Sequence, residues 1–438
     1  MAVKVPWPQQ PVKFEELNIS EKLMENLILK TLKRDGKLDE LSIAKKLRVS
    51  TLAIREIIQN LKKRKVLDTP MPLQYYMTEL GKQMEKEAYE EDAYIGPCPV
   101  NFQQYADMVN NLSKYEERAS LEEVKDAFSK MTLAVEFKLK VKEAYNAQRP
   151  ILLYGPPGNG KSLISNSLHA LLKNNIYVPF AFEFNSMIVN FYDPAYHTIV
   201  RDPANVQMAA NASASSGPLM QMSAKKDDPR WLEIKPPLVI VGTEFRVKDF
   251  DIAYDGKYEA PPLVKANNGI FVVDDLGRQV DSHVDILNQF IYPLEALECI
   301  IRMAGGSRLI VPYKQRLFVS TNLNKEEIID DAFNRRLLYQ FKIDKPTPDT
   351  FVEIFSNVIR GRWDYIPEEQ AVEFGLKLME WYKEDNRILR GSDPRSLSIM
   401  LDATLMEGET LDLTMELFRR VYEIFPMADA GTEKQYGM

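Results

Sequence analysis

The sequence contains few of the residues that build metal clusters and disulfide frameworks. Its 438 residues include only two cysteines, Cys98 and Cys299, and three histidines. So few thiols and imidazoles exclude a disulfide framework and a zinc cluster. The chain also lacks a charge-free run of about 18 apolar residues, which excludes a transmembrane helix. Its first residues lack the apolar core and cleavage site of a secretory signal. We therefore expect a cytoplasmic protein without membrane insertion.

Charge is distributed unevenly along the chain. Hydrophobic residues make up 45% and charged residues 27%, as in a folded globular protein. The net charge is −7, yet residues 1–66 carry 15 Lys and Arg against 8 Asp and Glu, a net charge of +7. Subtracting +7 from −7 leaves −14 for the rest of the chain. A basic N-terminal segment on an acidic body suggests that one domain could meet nucleic acid while the whole chain does not.

The N-terminal segment, residues 15–92, has the pattern of a small helical domain. Apolar residues recur at helical spacing in Glu21–Lys33, a second short helix covers Leu38–Leu47, and a third ends at Leu67. A short β-like run, Leu73–Met77, and a further helix follow. Three helices and a β wing are typical of a winged helix-turn-helix domain.

The remaining chain divides into three further segments. Residues 93–119 form a predicted linker, in which Pro97 and Pro99 prevent a helix. Residues 120–346 alternate strands, loops and helices, which predicts a parallel sheet covered by helices. Residues 347–428 show helical spacing alone. The predicted fold class is therefore α/β: a parallel-sheet core with an all-helical lid, preceded by a winged-helix domain.

A glycine-rich loop between a strand and a helix is the strongest motif. The apolar run Ile151–Tyr154 is followed by the complete pattern G-x-x-x-x-G-K-S. Its glycines let backbone amides point at phosphate groups, aided by the helix N-terminus. Lys161 would neutralise β- and γ-phosphate charge, and the Ser162 hydroxyl would bind Mg²⁺. The predicted ATP-binding loop consists of Gly155, Pro156, Pro157, Gly158, Asn159, Gly160, Lys161 and Ser162.

A second apolar strand ends in two acids. Gly269–Val273 leads directly into Asp274 and Asp275. Asp274 would hold Mg²⁺ through water, and Asp275 would polarise the water that attacks the terminal phosphate. Together with the phosphate loop, this strand predicts Mg²⁺-dependent ATP hydrolysis.

These motifs resemble those of the AAA+ ATPases over roughly residues 118–428. In that family the Mg²⁺-binding acid is usually followed by Glu. Asp275 is one methylene shorter and reaches the water less far, so the resemblance implies a slow or regulated ATPase. Asn322, at the end of the apolar strand Leu317–Thr321, resembles sensor 1, an amide that contacts the γ-phosphate and the attacking water.

Arginines complete the resemblance. Arg336, with Arg335 as the alternative, resembles the arginine finger that a neighbouring subunit supplies to the transition state. A surface basic pair at a helix end is the simpler interpretation. Arg395, in Gly391–Arg395, resembles sensor 2, which reaches the phosphates from the helical lid.

Lys161 and Asp274 lie 113 residues apart, which is long for the family and predicts an insertion near 187–268. Phe180–Asn185 looks like the second core strand, with Asn185 either a switch that tethers Asp275 or simply the end of a strand. Leu238–Gly242 looks like an inserted strand. The segment before the acidic strand resembles that of MoxR-type ATPases and bacterial enhancer-binding activators, and Ile300–Val311 predicts a hairpin.

Three hypotheses on function follow. The resemblance implies a motor that uses Mg²⁺ and ATP and assembles as a ring of identical subunits, with a hexamer as the expected assembly. The ring would remodel an unidentified protein or protein–nucleic-acid complex. The alternative is a DNA-binding regulator or replication initiator that uses ATP as an assembly switch. Basic residues within 48–65 could neutralise DNA phosphate, or they could be a solvated helix end. The third is an ATP-binding scaffold, which requires Asp275 to be inert.

Overall fold

The chain divides into two compact units in the computed structural model, which describes residues 5–71, 74–115, 118–205, 226–303, 306–328, 335–407 and 413–425. The first unit comprises residues 1–117, 172–271 and 280–316, and the second comprises 118–171, 272–279 and 317–438. Among the helices of these described ranges, none combines the length and apolar character that crossing a membrane requires.

Helices and strands alternate through much of the described chain. The helices are α1 (Glu21–Asp35), α2 (Glu40–Leu47), α3 (Thr51–Lys63), α4 (Glu79–Glu91), α5 (Phe102–Ser113), α6 (Leu121–Ala127), α7 (Val135–Asn146), α8 (Lys161–His169), α9 (Pro262–Lys265), α10 (His283–Ala296), α11 (Lys325–Ile328), α12 (Pro348–Arg362), α13 (Glu368–Glu384), α14 (Asp393–Glu407) and α15 (Met415–Ile424). The strands are β1 (Leu67–Met71), β2 (Gln74–Met77), β3 (Val100–Asn101), β4 (Ile151–Tyr154), β5 (Ile176–Pro179), β6 (Ala181–Phe184), β7 (Met187–Asn190), β8 (Ile199–Arg201), β9 (Trp231–Ile234), β10 (Leu238–Val241), β11 (Ala253–Tyr254), β12 (Tyr258–Glu259), β13 (Ile270–Leu276), β14 (Glu298–Arg302), β15 (Arg308–Pro312), β16 (Arg316–Thr321) and β17 (Tyr339–Lys342).

The first unit begins with the three helices that the sequence predicts, but the third ends at Lys63 rather than at Leu67, which instead begins β1 and pairs with the predicted β run as a hairpin. Side chains cap the first three helices: Ser20 accepts from Leu23 N before α1, Asp39 caps α2 and Ser50 caps α3. Strands β1 and β2 pair antiparallel as the hairpin. The apolar faces of α1, α2 and α3 meet in one buried cluster, which also takes in Ile188 of β7. This helical segment therefore shares a core with the β-strands that follow it in the first unit.

Two further sheets and a hairpin complete the first unit. One sheet has the order β11-β12-β7-β6-β3, and a second has the order β5-β9-β8. Strands β14 and β15 pair antiparallel from Glu298↔Pro312 to Arg302↔Arg308, as the hairpin prediction for this region expects. Beside β9, the buried Arg230 guanidinium donates to the carboxylate of Asp228.

A parallel sheet carries the phosphate loop and confirms the predicted α/β class. Its strand order is β10-β13-β16-β4-β17, and both β16 and β17 run parallel to β4. Strand β4 is almost wholly buried, as expected for a strand with both faces covered. Because parallel strands end at the same edge, the ends of β4, β13 and β16 come together there.

The second strand of this sheet is Leu238–Val241, so two expectations about the insertion are wrong. Leu238–Val241 is an edge strand of the core sheet, and Ile270 N donates to Pro237 O where β13 begins. Phe180–Asn185 instead contributes β6 to an antiparallel hairpin with β7. Asn185 and Ser186 have φ of 52° and 65°, which is the backbone of a two-residue hairpin turn. Asn185 therefore does not end a core strand.

The last described part of the chain is helical, as predicted. Helices α12 to α15 enclose an apolar cluster that includes Phe351, Leu378, Tyr382, Leu401 and Phe418. Thr347 caps α12 by accepting from Thr350 N, and Thr414 caps α15. This helical segment belongs to the second unit, as do β4, α8 and the end of β13.

Candidate functional site

The loop between β4 and α8 has a backbone that only glycine adopts readily. Gly155, Gly158 and Gly160 have φ of 128°, 79° and 86°. A Cβ atom on Gly155 would lie 2.5 Å from the carbonyl oxygen of Ile343, so that position also lacks room for a side chain. Helix α8 begins directly after Gly160, at Lys161. The N-terminus of α8 therefore faces the loop, as binding of an anion there would require.

Lys161 is the buried cation of this site. Only 7% of the residue is exposed, and Nζ donates to Gly155 O at 2.8 Å, Pro156 O at 2.9 Å and Asn322 Oδ1 at 2.8 Å. Burial lowers the Lys161 pKa to about 8, against the negative charges of Asp275 and Asp274, which raise it. The Lys161 amine is therefore positioned to bind an anion. Its desolvation makes the protonated, charged form less favourable than it is in water.

Ser162 and Asp274 lie together beside the loop. The Ser162 hydroxyl is 2.9 Å from Asp274 Oδ2 and 3.1 Å from Oδ1, and the Ser320 hydroxyl also hydrogen-bonds to Oδ1. A hydroxyl and a carboxylate are the hard oxygen ligands that Mg²⁺ takes. Within the described ranges, no three His, Cys, Asp or Glu residues gather to hold a metal. The pair therefore fits Mg²⁺ whose other ligands are phosphate and water oxygens.

Asp275 is held by two neighbours in a left-handed backbone conformation. Its φ is 51°, which is uncommon for a residue other than glycine and is often found at functional sites. Asn322 Nδ2 donates to Asp275 Oδ1 at 2.9 Å, and the Arg278 guanidinium lies 3.7 Å from Oδ2. Asn322 thus contacts both Lys161 and Asp275 through one amide. This arrangement orients the carboxylate towards the loop.

A cavity of about 260 Å³ opens between these groups. Lys161, Ser162, Asp274, Asp275 and Asn322 all line it. The structure therefore brings together five of the side chains that the sequence predicts for phosphate, Mg²⁺ and water. The cavity combines a buried cation, a helix N-terminus and a pair of carboxylates, which suits a phosphate chain carrying a divalent ion.

The three predicted arginines are not among the described residues that line this cavity. Arg335 is exposed and Arg336 is half-buried, while the four residues before them, 331–334, lie outside the described residues. Arg395 is exposed in the first turn of α14. A finger that acts on a neighbouring subunit does not need to line the cavity of its own chain.

Two side chains at the site escaped the sequence interpretation. Arg278 lines the cavity three residues after Asp275, and Ser320 contacts Asp274. Ser320 could have been found, because it lies two residues before Asn322 in an extended segment and so shares its face. Arg278 follows Asp275 and Gly277 in a turn whose course the sequence does not reveal.

Much of the basic stretch 48–65 has partners within the first unit. The Arg48 guanidinium makes paired hydrogen bonds of 2.6 and 2.8 Å to Asp202, and lies 4.3 Å from the centre of the Phe180 ring. Arg55 pairs with Glu40. Arg64 pairs with Glu25, whereas Lys62, Lys63 and Lys65 are exposed.

The N-terminus of α3 is also in contact with the chain itself. The Ser50 hydroxyl donates to Val12 O, and Arg48 donates to Pro229 O at 3.0 Å. In helix-turn-helix proteins the first residues of the recognition helix enter the major groove. Here a segment of the same unit lies against them.

Comparisons with known proteins give distant likenesses to solved structures, among them the following two. No protein-family profile matches the chain, and no curated protein does. A RuvB point mutant from Thermotoga maritima is similar with a TM-score of 0.38 and 10% identity, over 73% of this chain and 77% of that one. NtrX from Brucella abortus, solved in complex with ADP, is similar with a TM-score of 0.29 and 14% identity, over 69% of this chain and 64% of that one.

Proposed function

We propose that this chain is an ATPase of the AAA+ type that binds ATP with Mg²⁺ and hydrolyses its terminal phosphoanhydride. One observation carries the proposal. A buried lysine, a serine–aspartate pair, a second aspartate and an asparagine meet around one cavity at the end of a parallel sheet. Each group matches a step that phosphoryl transfer to water needs: phosphate binding, metal binding and orientation of the attacking water.

The loop and Lys161 would bind the phosphate chain, with Lys161 exchanging its carbonyl partners for phosphate oxygens. Ser162 and Asp274 would hold Mg²⁺, which supplies neutralisation of phosphate charge when it is bound. Asp275 would accept a hydrogen bond from the attacking water and draw its proton towards Oδ1 or Oδ2. Asn322 would orient both that water and the terminal phosphate, since its amide contacts Lys161 and Asp275.

Arginines from outside the cavity complete the proposal. Arg336, with Arg335 as the alternative, would act on the nucleotide of a neighbouring subunit, and Arg395 would reach the phosphates from the helical segment. A finger in trans requires assembly, so we propose a homo-oligomeric ring, with a hexamer as the first expectation. The ring would act in the cytoplasm and remodel a protein or protein–nucleic-acid complex.

The proposed domain limits follow the sequence interpretation. They are a winged-helix domain at 15–92, a linker at 93–119, an ATPase core at 120–346 and a helical lid at 347–428. Two of these limits change. Residues 93–119 are more than a linker, because they contain β3 and α5. Because Leu238–Val241 belongs to the core sheet, the insertion into the core ends before Leu238.

A DNA-binding regulator or replication initiator is the second candidate, and contacts at α3 disfavour it. Arg48 and the N-terminus of α3 are engaged by the same unit, so DNA would have to displace Asp202 and the segment near Val12. These contacts favour a role for the helical module in binding protein or in assembly. Lys62, Lys63 and Lys65 are exposed, so they could still contact the phosphates of duplex DNA, and this binding can be tested. Salt-dependent binding of duplex DNA by the full chain, lost on neutralising these three lysines, would restore this candidate.

Two variants test the proposed chemistry. Lys161→Ala should abolish binding of ATP and ADP, because the buried cation is lost. Arg336→Ala should still bind ATP but should lose at least 100-fold in turnover, as expected for an arginine finger. Mixing Arg336→Ala with Lys161→Ala subunits should restore part of the activity, because each supplies what the other lacks. Normal hydrolysis by Arg336→Ala would transfer the finger role to Arg335 or remove it.

A further inference from the structure

A turn of the helical segment lies directly against the phosphate loop. The turn consists of Arg390–Asp393 and leads into α14. Gly391 N donates to Asn159 Oδ1 at 3.1 Å. A Cβ atom on Gly158 would lie 2.8 Å from Ser392 Oγ, so the contact depends on the absence of a side chain at Gly158. The helical segment and the phosphate loop therefore touch at one defined point within the second unit.

The side-chain amide of Asn159 makes two hydrogen bonds, one to the turn and one within the phosphate loop. Its Oδ1 accepts from Gly391 N, and its Nδ2 donates to Pro156 O at 3.3 Å. Asn159 is thus fixed to the loop by one end of its side chain and to the turn by the other. No charge is involved, so the link survives changes of pH and salt. Alanine at this position would remove both hydrogen bonds and would leave the loop glycines unchanged.

The turn is anchored on its other side by a buried hydrogen bond. Tyr382 Oη donates to Asp393 Oδ2 at 3.0 Å, and the two residues are only 1% and 8% exposed. Asp393 N donates to Arg390 O at 3.1 Å, which closes the turn. A buried hydrogen bond to a carboxylate is expensive to break, because a desolvated charge loses one of its few partners. The turn is therefore attached to α13 as well as to α14, which it precedes.

We propose that Asn159 is a positioning residue that couples the helical segment to the phosphate loop, with the turn Arg390–Asp393 as its partner. The inference rests on the proposed function, because the ligand that the loop holds is the phosphate chain of ATP or ADP. Asn159 does not touch the reacting atoms. It keeps the turn against the loop, and thereby the helical segment over the bound nucleotide. Loss of this link should allow nucleotide to escape faster.

The test uses the full chain and two readouts. Asn159→Ala should raise the Kd for ADP about fivefold to tenfold, the loss expected for one or two hydrogen bonds. Peptides that span residues 388–394 should exchange amide hydrogen faster, because the Gly391 N–H loses its acceptor. Asn159→Asp keeps the acceptor oxygen, so it should retain slow exchange at Gly391. Asn288→Ala, at an exposed asparagine of α10, is the matched control and should change neither readout.

Two further variants distinguish a failure of the coupling from a failure of the proposed function. Tyr382→Phe removes the anchor and should accelerate exchange in the same peptides, while thermal unfolding verifies that each variant is folded. Lys161→Ala tests the proposed function itself: it should abolish ADP binding and leave exchange at Gly391 slow. ADP affinity and exchange unchanged in Asn159→Ala, while Lys161→Ala loses binding, would overturn the coupling alone. Normal ADP binding by Lys161→Ala would overturn the proposed function.

Discussion

If the loop binds nucleotide as proposed, the desolvated state of Lys161 should make that affinity depend on pH between 7 and 9, where a lysine of ordinary pKa stays protonated. Only the protonated amine attracts phosphate, and the Lys161 pKa is lowered to about 8 by burial. At that value about 90% of the amine is charged at pH 7, about half at pH 8 and about 10% at pH 9. The apparent Kd for ADP should therefore rise about tenfold from pH 7 to pH 9. A pKa of 10.5 would give a change of only about 3%.

The sign follows from linkage. Bound phosphate raises the Lys161 pKa, so binding takes up protons, and affinity is full below pH 8 and is lost above it. Isothermal titration with ADP at pH 7, 8 and 9, in two buffers of different ionisation enthalpy, measures both Kd and proton uptake. About half a proton should be taken up per ADP at pH 8. Asp275→Asn removes a charge that raises the Lys161 pKa, so the loss of affinity should move to lower pH. A Kd that stays constant within twofold from pH 7 to pH 9 would refute this reasoning.

Two further predictions concern a buried histidine and an arginine at the cavity. Burial lowers the His197 pKa to about 4, so the first unit should lose about 2 kcal/mol of unfolding free energy as pH falls from 6.5 to 4.5. Urea unfolding at pH 6.5 and 4.5 measures this loss; an equal loss in His197→Gln would contradict the assignment. Arg278→Ala should lower kcat several-fold with little change in KM, because Asp275 keeps only Asn322. Arg278→Lys should recover part of the rate, and a change confined to KM would instead place Arg278 in ground-state binding.

The grouping of side chains at the candidate phosphate site was predictable from sequence because its parts are local. The loop pattern fixes Lys161 and Ser162 at the start of a helix, and an apolar strand before two acids fixes Asp274. Asn322 follows from the rule that parallel strands end at one edge. The contacts among these side chains then depend only on which strands are neighbours. Local sequence patterns do not predict the order of the strands in the sheet.

The insertion was misjudged because strand and hairpin patterns look alike in isolation. Ala181–Phe184 and Leu238–Val241 are both short and mostly apolar, and local spacing does not say which sheet each one joins. Asn185 and Ser186 form the hairpin turn with two positive φ angles. Neither residue is a glycine, which would have made the turn easier to predict from sequence. The partners of Arg48 were equally hidden, because Asp202 lies 154 residues further along the chain. Counting basic residues predicts charge, but it does not reveal which charges are already paired.

Steady-state ATP hydrolysis against protein concentration, with and without DNA, tests the central claim most directly. An ATPase whose finger acts in trans should show a specific activity that rises with concentration, remains the same when DNA is added and disappears in Lys161→Ala. A rate stimulated by duplex or single-stranded DNA would promote the DNA-binding candidate. Tight, Mg²⁺-dependent ATP binding without measurable hydrolysis at any concentration would contradict the proposed ATPase and leave a nucleotide-binding scaffold in which Asp275 is inert.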